Sequence, residues 1–414
     1  MTTTRSTVSR RGLLTGLAAA SVAGVACASD SPAPEATAAA GKVLGEPVPT
    51  RPLGKCGARV PMIALGGAMA RHTPEFLEAA WDRGVRYFDT ARLYTTNTAN
   101  GRSEQNIADF FKAHPERRKD VFLVSKSYFK GEPPEAVLTD IDVRLKMCGV
   151  EQLDLYFMHA LGTQDYGEDS LNWFKSDRVR GIARQLKESG KVKYFGFSSH
   201  HARKEDYLFA AAEGGFVDAI MVAYTPFLKA GDKLNEALGA CHEKGIGLIA
   251  MKEMRALGDL PNRSPEMDAL GLNNHQALLH ACWSDDRIAS ICSSMENEQQ
   301  IDENLDAARK FQRKLASAGL DSLRRAIHSC RAATCPNCDG RCETAAGTTA
   351  GLADIARYVA YYEQDGARAA REWYLNLPEH RRDAAGANLF AAHRACLAHL
   401  DFESIVDKAR RYFA

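Results

Sequence analysis

Short apolar runs with the look of buried strands recur along the chain, each separated from the next by a stretch whose apolar residues return at helical spacing. Arg51-Pro-Leu-Gly-Lys-Cys-Gly-Ala-Arg and Val60-Pro-Met-Ile-Ala-Leu-Gly-Gly predict a short hairpin leading into a first strand. The pattern then reads helix 73–83, strand 85–88, helix 103–113, strand 120–125, helix 134–147, strand 153–158, helix 175–189 and strand 193–197. It continues with helix 203–213, strand 217–223, helix 232–244, strand 246–251, helix 274–284, strand 288–292 and helix 297–316. Eight strands, each followed by one amphipathic helix, predict parallel order, and eight such units close into a (β/α)8 TIM barrel with no exposed edge. An open doubly wound sheet is the competing α/β arrangement, but no glycine-rich dinucleotide fingerprint follows the first strand.

In a barrel of this kind the C-terminal strand ends converge on one mouth. Reading only those ends gives Asp89, Lys126, His159, the run Ser198-Ser199-His200, and Tyr224, with Tyr94 five residues beyond Asp89. Taken singly, each has a structural explanation: Asp89 as a loop cap, Lys126 as a snorkelling strand-end lysine, His159 and Tyr224 as core residues. Together they suit proton chemistry. A carboxylate at Asp89 holds the Lys126 ammonium charged near Tyr94, and that charge favours the phenolate form. His159 can orient a carbonyl oxygen, so a phenol that gives a proton to a developing alkoxide while hydride reaches carbon describes carbonyl reduction, or in reverse alcohol oxidation.

Composition changes this picture at the two ends. The 414 residues are 45% hydrophobic and 25% charged, with 53 basic against 52 acidic side chains, which suits one large barrel and gives no electrostatic footprint for nucleic acid. Residues 1–28 read as an export signal: Ser9-Arg10-Arg11-Gly12-Leu13-Leu14, a weakly apolar Ala/Gly/Val run, and Ala26-Cys27-Ala28 at the cleavage site. The paired arginines resemble a twin-arginine signal, which implies the export machinery as a partner and a periplasmic or otherwise exported, soluble protein. Lipid attachment at Cys27 is the alternative. No later stretch reaches a membrane span's length, and 29–50, rich in Ala, Pro, Ser and Thr, reads as a flexible linker. The barrel is placed at 51–320 and a helical extension at 321–414.

The motifs at the strand ends resemble those of the aldo-keto reductase superfamily. They are Tyr87-Phe-Asp-Thr-Ala-Arg-Leu-Tyr94, Arg102-Ser-Glu-Gln, Val124-Ser-Lys126, Asp154-Leu-Tyr-Phe-Met-His159, Lys193-Tyr-Phe-Gly-Phe-Ser198, Tyr224-Thr-Pro and Ile301-Asp-Glu-Asn304, in family order. The resemblance covers 51 to about 316. It implies a catalytic tetrad of Asp89, Tyr94, Lys126 and His159, with Tyr94 as general acid and hydride from an NADP(H) or NAD(H) nicotinamide stacked on Tyr224. It also implies cofactor contacts at Ser198, Ser199, Met221, Lys252, Ser293, Ser294 and Asn304. Three positions depart from the family: Ser199 replaces Asn, Met221 replaces a carboxamide-binding Gln, and Cys292-Ser-Ser-Met-Glu-Asn-Glu-Gln-Gln300 lacks the Lys and Arg that meet an adenosine 2′-phosphate. Lys252 and Glu253 form either an ion pair or a substrate or pyrophosphate contact.

From Cys330 the composition shifts again. Cys330-Arg-Ala-Ala-Thr-Cys335-Pro-Asn-Cys338-Asp-Gly-Arg-Cys342 places four thiols in a short run, with Cys396 farther along and helices expected at 352–364, 366–375 and 402–413. This tail resembles the ferredoxin-like extension of some bacterial aldo-keto reductases, although the strict iron–sulfur run is absent. The expected ligands are Cys335, Cys338, Cys342 and Cys396 on a [4Fe-4S] cluster, with Cys330 as the competing fourth. Zinc and two disulfides are the alternatives. The scattered cysteines, Cys56, Cys148, Cys241, Cys282 and Cys292, read as buried packing residues.

The resulting expectation is an exported aldo-keto reductase-type oxidoreductase acting on a small carbonyl or alcohol, with a redox protein as a possible further partner. The alternative is an altered barrel that serves as a periplasmic iron–sulfur electron carrier or binding protein without NADP(H) turnover. Substrate contacts by position are Tyr166 and Trp173, in the mouth loop 160–175.

Overall fold

Eight parallel strands form the closed barrel, in the order β10-β3-β4-β5-β6-β7-β8-β9. They are β3 Ile63–Gly66, β4 Tyr87–Asp89, β5 Phe122–Ser127, β6 Leu153–Met158, β7 Val192–Ser199, β8 Ala219–Ala223, β9 Gly247–Met251 and β10 Ile288–Ser293. The computed structural model describes residues 45–67, 73–96, 102–201, 203–228, 230–251, 271–329, 335, 340–365, 368–396 and 399–413. The export signal at 1–28, most of the expected linker, Lys252, Glu253, Cys330 and Cys338 lie outside the described residues. No helix among the described residues is long and apolar enough to cross a membrane.

Strand periodicity divides each strand between two environments. Tyr87, Phe122, Val124, Leu155, Phe157, Ala219, Met221, Ile249 and Ala289 fill the barrel interior, whereas Phe88, Leu123, Tyr156, Phe197, Ile220, Val222 and Ile291 pack outward against the helices. The interior is therefore a filled core, and space for chemistry exists only where the strands end.

The N-terminal base is closed by the hairpin. β1 Thr50–Pro52 pairs antiparallel with β2 Arg59–Pro61, and Leu53 and Val60 join the interior core. Arg51 donates to the carbonyls of Trp283 (2.7 Å) and Ile288 (2.9 Å), and Gly54 lies where a Cβ would meet the Gly245 carbonyl at 2.2 Å. Residues 45–49, assigned by composition to the spacer, rest on this base: Val48 is buried and the Glu46 carbonyl accepts from Arg309 at 2.8 Å.

The amphipathic stretches fold as helices close to their expected bounds, including Ser103–Ala113, Val137–Cys148, Asp177–Glu188, Lys204–Gly214, Lys233–Glu243 and Asn274–Trp283. The helix expected over 297–316 ends sooner, at Glu298–Lys310. Phe311 turns its ring onto His280 (5.1 Å) and Trp283 (5.7 Å), under the Arg51 guanidinium, and this packing replaces further helix. A separate helix, Ser317–Ser329, follows and packs on Asn274–Trp283 through Leu323, Leu278 and Ala281.

The tail builds its own core from helices Arg341–Ala346, Leu352–Asp365, Arg368–Leu375, Leu389–Ala395 and Phe402–Phe413. Ile355, Val359, Ala370, Tyr374, Ile405, Val406 and Phe413 are central to it. Val43–Ala414 nevertheless forms one compact unit, so tail and barrel are packed together.

Candidate active site

The tetrad residues occupy the next step of the inward-facing phase beyond the barrel core. Asp89 continues from Tyr87, Lys126 from Phe122 and Val124, and His159 from Leu155 and Phe157. The register sets Asp89 beside Val124 and Lys126 beside Phe157, so the three polar groups come from adjacent strands at one level. Lys126 Nζ donates to Asp89 Oδ1 at 2.5 Å and to the Thr90 carbonyl at 2.9 Å, and neither Asp89 nor Lys126 is exposed to any useful extent.

Tyr94 arrives on a short helix, Arg92–Thr96, directly after the second barrel strand. Its ring centre lies 4.8 Å from the ammonium of Lys126 and 5.5 Å from the imidazole of His159, which meets it edge-on. Asp89, Tyr94, Lys126 and His159 thus form one contiguous group. Gly67 makes that approach sterically feasible, since a Cβ there would stand 2.4 Å from the Asp89 carbonyl oxygen and 3.2 Å from the Tyr94 ring. Burial pushes the Asp89 carboxyl above its ordinary value, while Lys126, the Cys292 thiol and the Gly67 backbone pull it back down.

Cys292 is a member of this group that sequence reasoning treated as packing. It ends the interior phase of β10, and its thiol bonds the Asp89 carboxylate. Tyr128 is a second. It continues the inward phase of β5 one step past Lys126, with its ring 6.4 Å from His159 and its hydroxyl bonded to Asp165. Extending the two-residue period past the end of β5 would have found Tyr128, whereas Cys292 lies within β10, where a register shift between Ile288 and Ser290 breaks that period.

The residues expected at a cofactor are less uniform. Ser198 and Met221 face inward side by side. The Ser198 hydroxyl accepts from the Ala160 N–H (3.0 Å) and keeps its own proton to donate. Ser199 faces the other way, donating to the Leu161 carbonyl (2.7 Å) and accepting from the His201 N–H (3.3 Å). Tyr224 follows the outward phase of Ile220 and Val222, with its ring in the helical layer and its hydroxyl donating to Asp285 Oδ2 at 3.0 Å. Ser293 and Asn304 are buried and Ser294 is exposed.

The loop after β10 enters helix Glu298–Lys310 under an Asn297 cap, with exposed acidic side chains at Glu296 and Glu298. Glu298 pairs with Arg83, which also reaches Asp302 at 3.3 Å. Tyr166 and Trp173 join Phe129 in an aromatic cluster behind His159, and the Tyr166 hydroxyl donates to the His159 carbonyl at 3.1 Å.

In the tail, Cys335, Cys342 and Cys396 are all buried within one apolar cluster. Cys342 lies on helix Arg341–Ala346, which packs on Leu389–Ala395, the helix that Cys396 caps. None of the described cysteines is disulfide-bonded, and no group of three or more metal-ligating side chains stands at metal-binding geometry among the described residues.

Residues 64–326, over half of the chain, match the aldo/keto reductase family. The chain belongs to that family. Among curated relatives it is 28% identical over 222 residues to the aldo-keto reductase yakc [NADP(+)] of Schizosaccharomyces pombe, matching 49% of this chain and only 60% of that protein's length. It is 27% identical over 246 residues to a D-threo-aldose 1-dehydrogenase of Pseudomonas sp, matching 52% of this chain and 69% of that protein. Among solved structures, an aldo-keto reductase from Klebsiella pneumoniae in complex with NADPH superposes with a TM-score of 0.52 at 22% identity, over 68% of this chain and 95% of that one. A reductase from Brucella melitensis gives 0.51 at 21% identity, over 67% and 99%. The structures bear out the barrel fold. The protein is an oxidoreductase of aldo-keto reductase type.

Proposed function

We propose that the barrel interconverts a small carbonyl compound and its alcohol, with Tyr94 as the proton donor to the carbonyl oxygen. The observation that carries this reading is the contiguous group of Asp89, Lys126, Tyr94 and His159 at one end of the barrel. A substrate oxygen between the Tyr94 hydroxyl and the His159 ring receives a hydrogen bond from each. As hydride adds to carbon, the oxygen gains charge and takes the phenolic proton. Lys126 stabilises the phenolate left behind, and Asp89 with the Thr90 carbonyl fixes the ammonium in place.

A nicotinamide supplies the hydride when bound, in keeping with the NADP(+) and NADPH in the names of the fission yeast and Klebsiella proteins. The chain fits the nicotinamide end through Ser198, whose proton is available to a carboxamide beside Met221. The described part of the loop after β10 fits an uncharged ribose better than a 2′-phosphate, because its exposed charges are acidic. Tyr94→Phe tests the proton-donor role. Steady-state rates on a carbonyl panel should fall by about 10²–10⁴-fold in kcat with little change in KM. Retained turnover sinks the assignment.

The tail reading follows from donor chemistry. Cys335, Cys338, Cys342 and Cys396 would hold a [4Fe-4S] cluster, with Cys330 as the competing ligand and zinc as the alternative occupant. The burial of three of these thiols in one apolar core supports a soft, shielded site. Export through a twin-arginine signal at 1–28, after the cofactor is inserted, accords with this. The second reading, an electron carrier without nucleotide turnover, draws its support from Met221 and the acidic loop. Nucleotide titration separates the two, since tight binding with Tyr94-dependent turnover rejects the carrier.

A further inference from the structure

We propose that Asp140, on helix Val137–Cys148 outside the barrel, is a positioning residue for the reaction: it holds Arg92, and through Arg92 the short helix that carries Tyr94, against the end of β5. The inference rests on the proton-donor role proposed above for Tyr94.

Helix Arg92–Thr96 has five residues, too few to be stable through its own hydrogen bonds. Its placement comes from contacts with its surroundings. Tyr94 supplies two of these, with Lys126 and His159, but it is the group that exchanges a proton. Arg92 supplies two more. Its Nη1 donates to the Tyr128 carbonyl at 3.2 Å and faces Asp140 Oδ1 at 3.6 Å. Tyr128 lies two residues past Lys126, so this one nitrogen ties the helix of the phenol to the strand of the ammonium.

Asp140 stands at an unusual place for a carboxylate. The buried residues of its helix are Val137, Asp140, Ile141, Arg144, Leu145 and Cys148, a three-and-four spacing in which apolar side chains are the rule. Arg144 on that stripe already has Glu104 as its partner, and Glu104 also accepts from Ser125 at 2.7 Å. Asp140 adds a second carboxylate to the same guanidinium, 3.4 Å from Arg144 Nε, with the Tyr156 hydroxyl donating to it at 3.3 Å. Two buried carboxylates against one buried cation leave a negative charge that apolar surroundings penalise, and Arg92 is the cation that balances it. The attraction on Arg92 thus comes from a buried group, although nearly half of its own side chain is exposed.

A pair with one exposed partner adds little to stability, so its effect belongs to geometry. Without it the helix is free to shift, and a displacement on the order of an ångström takes the Tyr94 hydroxyl off the line to the substrate oxygen.

Two measurements on the full chain test this. Arg92→Met and Asp140→Asn should each lower kcat about tenfold on the carbonyl panel, with KM and nucleotide affinity unchanged. Arg92→Lys should recover most of the rate, because one nitrogen makes both contacts and an ammonium can stand in its place. Amide hydrogen exchange over 92–96 reads the placement of the helix without reference to catalysis, and should speed about tenfold in Arg92→Met and Asp140→Asn but not in Arg92→Lys. Arg92→Met alters a largely exposed side chain and keeps the test intact if Asp140→Asn does not fold. An unchanged kcat in Arg92→Met, or a loss that Arg92→Lys does not relieve, overturns the positioning role, and unchanged exchange overturns the hold on the helix. If Tyr94→Phe retains turnover, the proton-donor reading falls and takes the positioning of Tyr94 with it, while exchange still decides whether Asp140 holds the helix.

Discussion

At the scale of single residues, Asp89 is the hinge of the site. It accepts from both Lys126 and Cys292, and its own burial works against the charge that both partners favour. Cys292→Ala removes one of the groups that lower the carboxyl, so the acid limb of the kcat/KM profile should move to higher pH. Cys292→Ser retains a donor and should stay near wild type. A pH–rate series on the three proteins checks the order, and coincident limbs would show that the thiol does not position Asp89. The residues that escaped sequence reading are of this kind. Cys292 and Tyr128 belong to the site by strand phase, whereas Tyr166 reaches His159 only through its backbone carbonyl.

At the scale of elements, the helices behind β4 and β5 are tied by charges that no water reaches. Glu104, fully buried on helix Ser103–Ala113, pairs with Arg144 on helix Val137–Cys148 and accepts from Ser125 at 2.7 Å. Removing one partner strands the other, so Arg144→Met should cost about 3–5 kcal/mol in urea unfolding. The exposed pair of Arg178 and Glu135 serves as the control, and Arg178→Met should leave the midpoint where it is.

His201 supplies the pH dependence at the seam between barrel and tail. Burial lowers its pKa to about 4, with Arg381, Lys204 and Arg203 acting in the same direction and Asp354 opposing them. The unfolded chain takes up this proton near pH 6.5 and the folded one only near 4. The contribution to stability is thus complete above 6.5 and is lost as pH falls from 6.5 to about 4. His201→Asn should flatten the melting temperature across that window, measured against wild type by calorimetry.

At the scale of the whole molecule, barrel and tail form one packed unit with two separate apolar cores. Anaerobically prepared full-length protein analysed for iron, acid-labile sulfide and zinc should give about four irons and four sulfides per chain. Cys335→Ser should lose them together with the brown colour. Zinc without sulfide, or neither metal, rejects the cluster.

The sequence alone determined the barrel, because a two-residue apolar period alternating with a helical one leaves eight strands few other ways to bury both faces. It also pointed to Asp89, Lys126 and His159, since each stands at or just past the end of an apolar run. Tertiary structure decided what depends on direction and distance. Tyr224 turns outward to Asp285, and Ser199 satisfies its hydroxyl within the protein. Cys292 reaches Asp89 past the one intervening strand, β3, from a position roughly two hundred residues away in sequence. The tail meets the barrel where Arg341 pairs with Asp232, more than a hundred residues away in sequence. No local pattern encodes that meeting, because its stabilisation comes from removing charged groups from water in the assembled fold.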